Sequence, residues 1–108
     1  MATIRTKFRP SSVEGREGTL YFQIIHGRVA RQINTGYKIF PSEWDEHASE
    51  IILSVSDDAR RSLLLALKER MKKDVRRLES IIAGLERSGG TYPADRVVEF
   101  FHNPPPAD

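Results

Sequence analysis

Residues 19–36, TLYFQIIHGRVARQINTG, leave the chain few conformational choices. Two runs rich in β-branched and aromatic residues flank His26-Gly27, and glycine supplies the positive φ that a two-residue turn needs, so the stretch predicts a β-hairpin. With the turn at His26-Gly27, Ile25 lies opposite Arg28, Ile24 opposite Val29, Phe22 opposite Arg31 and Leu20 opposite Ile33. Side chains alternate across a strand. One face therefore carries Leu20, Phe22, Ile24, Val29 and Ile33, with Arg31 out of character, and the other carries Tyr21, Gln23, Ile25, Arg28, Ala30, Gln32 and Asn34. The first face wants a core, and the second is a basic, amide-bearing surface with one aromatic. A register slip of one residue would exchange Arg31 for Arg28 on the polar side.

Residues 3–9, TIRTKFR, alternate in the same way: Ile4, Thr6 and Phe8 on one side, Thr3, Arg5, Lys7 and Arg9 on the other. They predict a third antiparallel strand with a strongly basic outer face. A cationic edge strand discourages edge-to-edge pairing, but three basic residues in a row exceed that need and suit a polyanion. Residues 10–18, PSSVEGREG, are a loop. A three-stranded sheet with one apolar face cannot stand alone in water, so another element must cover it.

Charge is segregated along the 108 residues. Residues 1–38 carry seven Lys/Arg against two acidic residues, residues 39–59 carry six acidic residues and no Lys/Arg, and residues 60–87 carry nine Lys/Arg against four acidic residues. Two basic blocks around an acidic connector suggest a polyanionic partner. The absence of cysteine excludes a disulfide scaffold, a thiolate zinc site and a cysteine nucleophile, and permits a reducing compartment. No apolar run is long enough to span a bilayer, and no signal-peptide core is present, so a cytoplasmic location is expected.

Beyond the hairpin, Gly36 is expected to end the strand, Tyr37 to Phe40 to continue extended, and Pro41 to open a helical turn with Trp44 packed against the sheet. In the acidic connector, Ile51, Ile52, Leu53 and Val55 suit a short strand or simple packing; His47, Glu50 and the neighbouring Asp45 and Glu46 are too commonplace a grouping to predict a metal site. One long helix is expected over residues 57–88, with Ser56 or Asp57 as its cap and Gly89 stopping it. Its stripe is Leu64, Leu67, Met71, Val75, Leu78, Ile82 and Leu85. At about 1.5 Å per residue it outreaches a small sheet, so its later turns are expected to meet another subunit or a following domain. Arg70, Lys72, Lys73, Arg76 and Arg77 cluster in its middle and read as a solvated coiled-coil flank, with DNA contact as the lesser alternative. Residues 91–102 predict a short second helix, with Pro93 in its first turn and Val97, Val98 and Phe101 on its apolar face, before a proline-rich tail that reads as a linker. The fold class is thus α+β: a three-stranded antiparallel sheet followed by a long helix and a short second helix.

There is no Ser/His/Asp arrangement, no HExxH, no Walker loop and no pair of carboxylates at a recognisable spacing. The expectation is a binding module, with no catalytic residues, cofactor, metal or small-molecule substrate. Thr35-Gly36-Tyr37-Lys38-Ile39-Phe40-Pro41-Ser42-Glu43-Trp44-Asp45, set in this order of elements, resembles the N-terminal arm-DNA-binding domain of tyrosine recombinases, the integrases of phages and conjugative transposons. In that family a three-stranded sheet is followed by a TG-x-x-x-x-P-x-x-W segment, a long helix and the start of a core-binding domain. Gly27, Thr35, Gly36, Pro41 and Trp44 match the pattern; Thr91 to Phe101 resembles the start of the core-binding domain, with Tyr92 to Asp95 one residue looser. The resemblance covers residues 3–101. It implies an arm-binding domain over residues 1–88, with the sheet in 3–39 and the long helix in 57–88, and a linker leading into a core-binding domain over residues 89–108. The recombinase's catalytic domain does not follow.

The resemblance also implies that the polar sheet face enters the major groove of double-stranded DNA at arm-type sites, and the alternation of residues reaches the same face independently. A two-stranded β-ribbon fits that groove, Arg reads guanine, and Gln or Asn reads adenine. The DNA-binding candidates are Arg5, Lys7, Arg9, Tyr21, Gln23, Arg28, Gln32, Asn34 and Lys38. Gln23 and Gln32 suit base edges, Arg28 suits either role, and Lys7, Arg9 and Lys38 suit phosphates. Two other readings compete. The long helix pairs with a second copy or a neighbouring recombinase domain, or the chain binds single strands, for which Tyr21 and Tyr37 are the only stacking candidates.

Overall fold

A computed structural model describes residues 1–53 and 57–104. Strands β1 (Thr3–Arg9), β2 (Gly18–His26) and β3 (Val29–Ile39) form an antiparallel sheet in the order β1-β2-β3. A short 3-10 turn (Pro41–Glu43) leads into β4 (Trp44–Asp45), which pairs with β5 (Glu50–Ile51) in a separate ribbon. Helices α1 (Asp58–Arg87) and α2 (Ala94–His102) complete the α+β fold.

The hairpin turn lies one residue later than the sequence suggested. Gly27 and Arg28 are its central residues, with φ of 60° and 66°. Positive φ at both is what a type I′ turn requires, and that turn matches the twist of its strands. Moving a turn by one residue shifts every pairing by two, so the faces survive while the partners change. Phe22 now faces Ile33, Ile24 faces Arg31, and Gln23 faces Gln32. The two apolar side chains meet at the centre of the core. Arg31 moves toward the hairpin end, where it stays exposed and its Nε donates to Asp95 Oδ1 at 2.6 Å. Val29, expected inside, is 38% exposed beside the turn.

Nor does Gly36 end the strand. Between the Tyr21–Asn34 and Thr19–Lys38 pairs, Thr35, Gly36 and Tyr37 all stand opposite Leu20, a bulge two residues larger than regular pairing allows. Gly36 takes φ 78° there. The Thr35 hydroxyl bridges the interruption: Oγ1 donates to the Leu20 carbonyl at 2.7 Å and accepts from the Tyr37 N–H at 3.0 Å. Thr35→Val, which keeps the branched shape and strands both backbone groups, is expected to lower stability by about 2 kcal/mol in chemical denaturation. Two extra residues restore alternation, so Lys38 rejoins the polar face and Ile39 is fully buried.

The core joins Leu20, Phe22, Ile24, Ile33 and Ile39 of the sheet to Leu64, Leu67, Met71, Leu78 and Ile82 of α1. Trp44 is buried and stacks on Phe8, ring centroids 6.3 Å apart, as expected. The 30 residues of α1 account for the 49 Å long axis. Asp57 caps α1, its carboxylate accepting from the Ala59 N–H at 3.0 Å; Ser56 and Val55, named from sequence, lie outside the described residues. The later turns of α1 are not left without a partner: Leu78 is fully buried and Ile82 nearly so. The reason is α2, which turns back onto α1, β2 and β3 and buries Ala94 and Val97 in the same core. Pro93 is the cap of α2 rather than part of its first turn. His26 stacks flat on Tyr92 at 4.2 Å, securing the hairpin end to the segment that leads into this helix.

Candidate nucleic-acid interface

The face of the sheet turned away from the helices is built from rows of three, one residue per strand. Thr3, Ile25 and Ala30 form one row; Arg5, Gln23 and Gln32 the next; then Lys7, Tyr21 and Asn34; then Arg9, Thr19 and Lys38. Neighbouring strands stand about 4.8 Å apart and same-face residues about 6.8 Å apart along a strand, so the four rows make a grid of roughly 10 by 20 Å. None of these twelve residues is acidic. Among the described residues, Arg5, Lys7, Arg9 and Lys38 make no ion pair. Their charge is available to a partner rather than consumed within the fold.

Two internal contacts order the surface. The Arg9 guanidinium lies 4.9 Å from the centre of the Tyr21 ring, which holds an otherwise mobile side chain against the sheet. Gln32 Nε2 donates to Asn34 Oδ1 at 3.1 Å. That bond uses one amide donor and one acceptor, leaving Gln32 Oε1 and Asn34 Nδ2 for a partner. Gln23 sits in the middle strand and is half-buried between Arg5 and Gln32.

Eight of the nine residues nominated from sequence share this face. Arg28 does not: it occupies the turn, exposed, at the end of the sheet. Tyr37, weighed as a stacking aromatic, is on the opposite side, its hydroxyl donating to Asp74 Oδ2 of α1 at 2.8 Å. Burial, reinforced by that carboxylate, pushes the Tyr37 phenol above its ordinary pKa. Two residues on or beside the face were overlooked. Thr19 shares the odd-numbered alternation of Tyr21 and Gln23, which would have revealed it. Arg16 lies in the β1–β2 loop and lines a shallow depression with Lys38, a proximity that only the folded loop creates.

The acidic connector is turned away from this chemistry. Asp45 Oδ1 accepts from the His47 and Ala48 N–H groups at 3.0 and 3.1 Å and so closes the β4–β5 turn. Among the described residues, no helix is long and apolar enough to cross a membrane. Comparison with family models, with curated proteins and with solved structures returns no match to this chain.

Proposed function

We propose that the chain binds double-stranded DNA sequence-specifically through the outer face of its sheet, as the arm-binding module of a site-specific recombinase of a mobile element, acting in the bacterial cytoplasm. The observation that carries this reading is the acid-free grid of four cations, without ion pairs among the described residues, interleaved with Gln23, Gln32 and Asn34. Its strand-to-strand width of roughly 10 Å suits a major groove about 12 Å wide. Lys7, Arg9 and Lys38 contact phosphates and set the register; Arg5, Gln23 and Gln32, the second row, read base edges. In this reading the module binds and does not cleave. The alternative of self-association through α1 depends on an apolar stripe whose Leu64, Leu67, Met71, Leu78 and Ile82 are buried within this chain, which favours the DNA reading.

Fluorescence anisotropy against a random duplex and against DNA from the element's own ends, across a salt series, tests it. Lys7→Ala is expected to weaken binding to both duplexes and to reduce the salt slope by about one unit. Gln23→Ala is expected to cost about 1–3 kcal/mol on the element DNA alone and so to reduce the preference for it. Absence of binding at low salt, or two variants indistinguishable from the parent, would refute the reading.

A further inference from the structure

Among the described residues β1 bonds to β2 alone, which leaves its outer edge without a strand partner there. Below that edge, on the core side, opens a groove of about 320 Å³ between β1, the β4–β5 ribbon and α1. Trp44, Ile51, Met71 and Val75 supply its apolar lining, and Thr6 of β1 borders it. Lys68, Lys72 and Arg76, one helical turn apart, border it on α1 together with Glu79, and Glu50 borders it on β5. A free strand edge over an apolar groove is the arrangement that accepts an added strand, with main-chain bonds for affinity and pockets for alternate side chains.

The alternation of β1 states what that strand must be. Arg5, Lys7 and Arg9 point outward and Ile4, Thr6 and Phe8 inward. Directly opposed residues of paired strands interact, opposite charges favourably and like charges unfavourably. An added strand therefore needs carboxylates at its outward positions, beside Arg5, Lys7 and Arg9, and aliphatic side chains at its inward positions, over Trp44, Ile51, Met71 and Val75. A second copy of β1 would set the same cations against themselves, so self-pairing is disfavoured. A DNA duplex gains nothing from an apolar groove of this size.

We propose that the β1 edge and the groove beneath it bind an extended segment of a partner protein in which acidic and aliphatic residues alternate. Its carboxylates would engage the cations that face outward on β1. If the outer face is also the DNA surface, occupancy of the edge would compete for Arg5, Lys7 and Arg9 and so weaken DNA binding; the docking itself is independent of that reading and is measured without DNA.

The probe is a capped heptapeptide of alternating Glu and Val, matching the 7 residues of β1, titrated into the isotopically labelled protein and followed by amide chemical shifts. Saturable shifts are expected at residues 4–8, Ile51, Met71 and Val75. A Lys–Val heptapeptide, the Glu–Val peptide N-methylated at alternate amides, and the parent peptide against Lys7→Glu are each expected to bind about tenfold more weakly or worse. Failure to saturate at millimolar peptide, equal binding of the Lys–Val or N-methylated peptide, shifts confined to α1, or a protein that already dimerises through β1 would each overturn the proposal.

Discussion

Arg60→Ala is expected to lower the unfolding free energy by about 3–5 kcal/mol at neutral pH, far beyond the ~0–1 kcal/mol of a surface ion pair. Glu43 closes the 3-10 turn after the sheet and is only 4% exposed. Arg60 in the first turn of α1 grips it with two bonds of 2.7 Å, Nε to Oε2 and Nη2 to Oε1. The same guanidinium reaches Glu17 at 2.9 Å and lies 4.8 Å from the centre of the Phe40 ring. One side chain thus joins the β1–β2 loop, the corner after β3 and the long helix. With Arg60 removed, Glu43 keeps the Phe40 N–H at 2.7 Å and loses its counter-charge. A buried carboxylate without a cation is the costly case. Urea denaturation reads the effect, and a loss under about 1 kcal/mol would show the pair to be incidental.

The pH dependence follows from the same contact. Arg60 holds the Glu43 carboxyl below its ordinary range, with burial opposing and the Phe40 N–H assisting. A carboxyl depressed in the fold contributes stability that is complete above its unfolded value, about 4.3, and is lost as pH falls through the folded value. The parent protein is therefore expected to weaken on the acid side of about pH 4.3. Arg60→Ala lacks the depressed carboxyl, so the gap between variant and parent should narrow over that same range. A gap that stays constant with pH would show that Glu43 is not the linked group.

Gly18→Ala is expected to cost about 3 kcal/mol, at the upper end of overpacking effects, and to lower Tm by roughly 12–20 °C in a chain of this size. Gly18 opens β2 against the end of β1. A Cβ built there would lie 2.3 Å from the Arg9 carbonyl oxygen, 2.6 Å from the tip of the Phe8 ring and 2.8 Å from the Pro10 Cα. Two of the three are backbone atoms, so no rotamer change relieves the contact. The strand ends must separate, and Arg9 moves with them, disturbing the row it shares with Thr19 and Lys38. Thermal unfolding checks the stability, and the anisotropy assay should show the loss of Arg9 as a reduced salt slope. A Tm within about 4 °C of the parent would mean that the strand ends are loose enough to part without cost.

Much of this architecture was legible in the chain because alternation and helical periodicity are local codes. The two-residue period of β1 and β2 and the three-and-four spacing from Leu64 to Leu85 identify which face of each element seeks a core. The polar face was legible for the same reason, and it survived a misplaced turn because moving a turn by one residue preserves the alternation on both arms.

Long-range partners were not legible. Nothing local announces that Glu43, in an acidic run, pairs with an arginine 17 residues on. Gly36 gave a strand-end signal that the Thr35 hydroxyl overrides by bridging the bulge. The later turns of α1 read as unpartnered because the return of α2 depends on a reversal at Gly89, φ 78°, and on docking against the hairpin end. Local patterning settles β1 to β3, α1 and α2, most of their buried faces and the polarity of the sheet, since each depends on residues a few positions apart. The turn's pair of residues, the β4–β5 ribbon, the Arg60 clamp, the covering of Leu78 and Ile82, and the open edge of β1 above its groove come from the assembled fold. Those depend on contacts between distant segments, whose free energies compare whole packings rather than neighbouring residues.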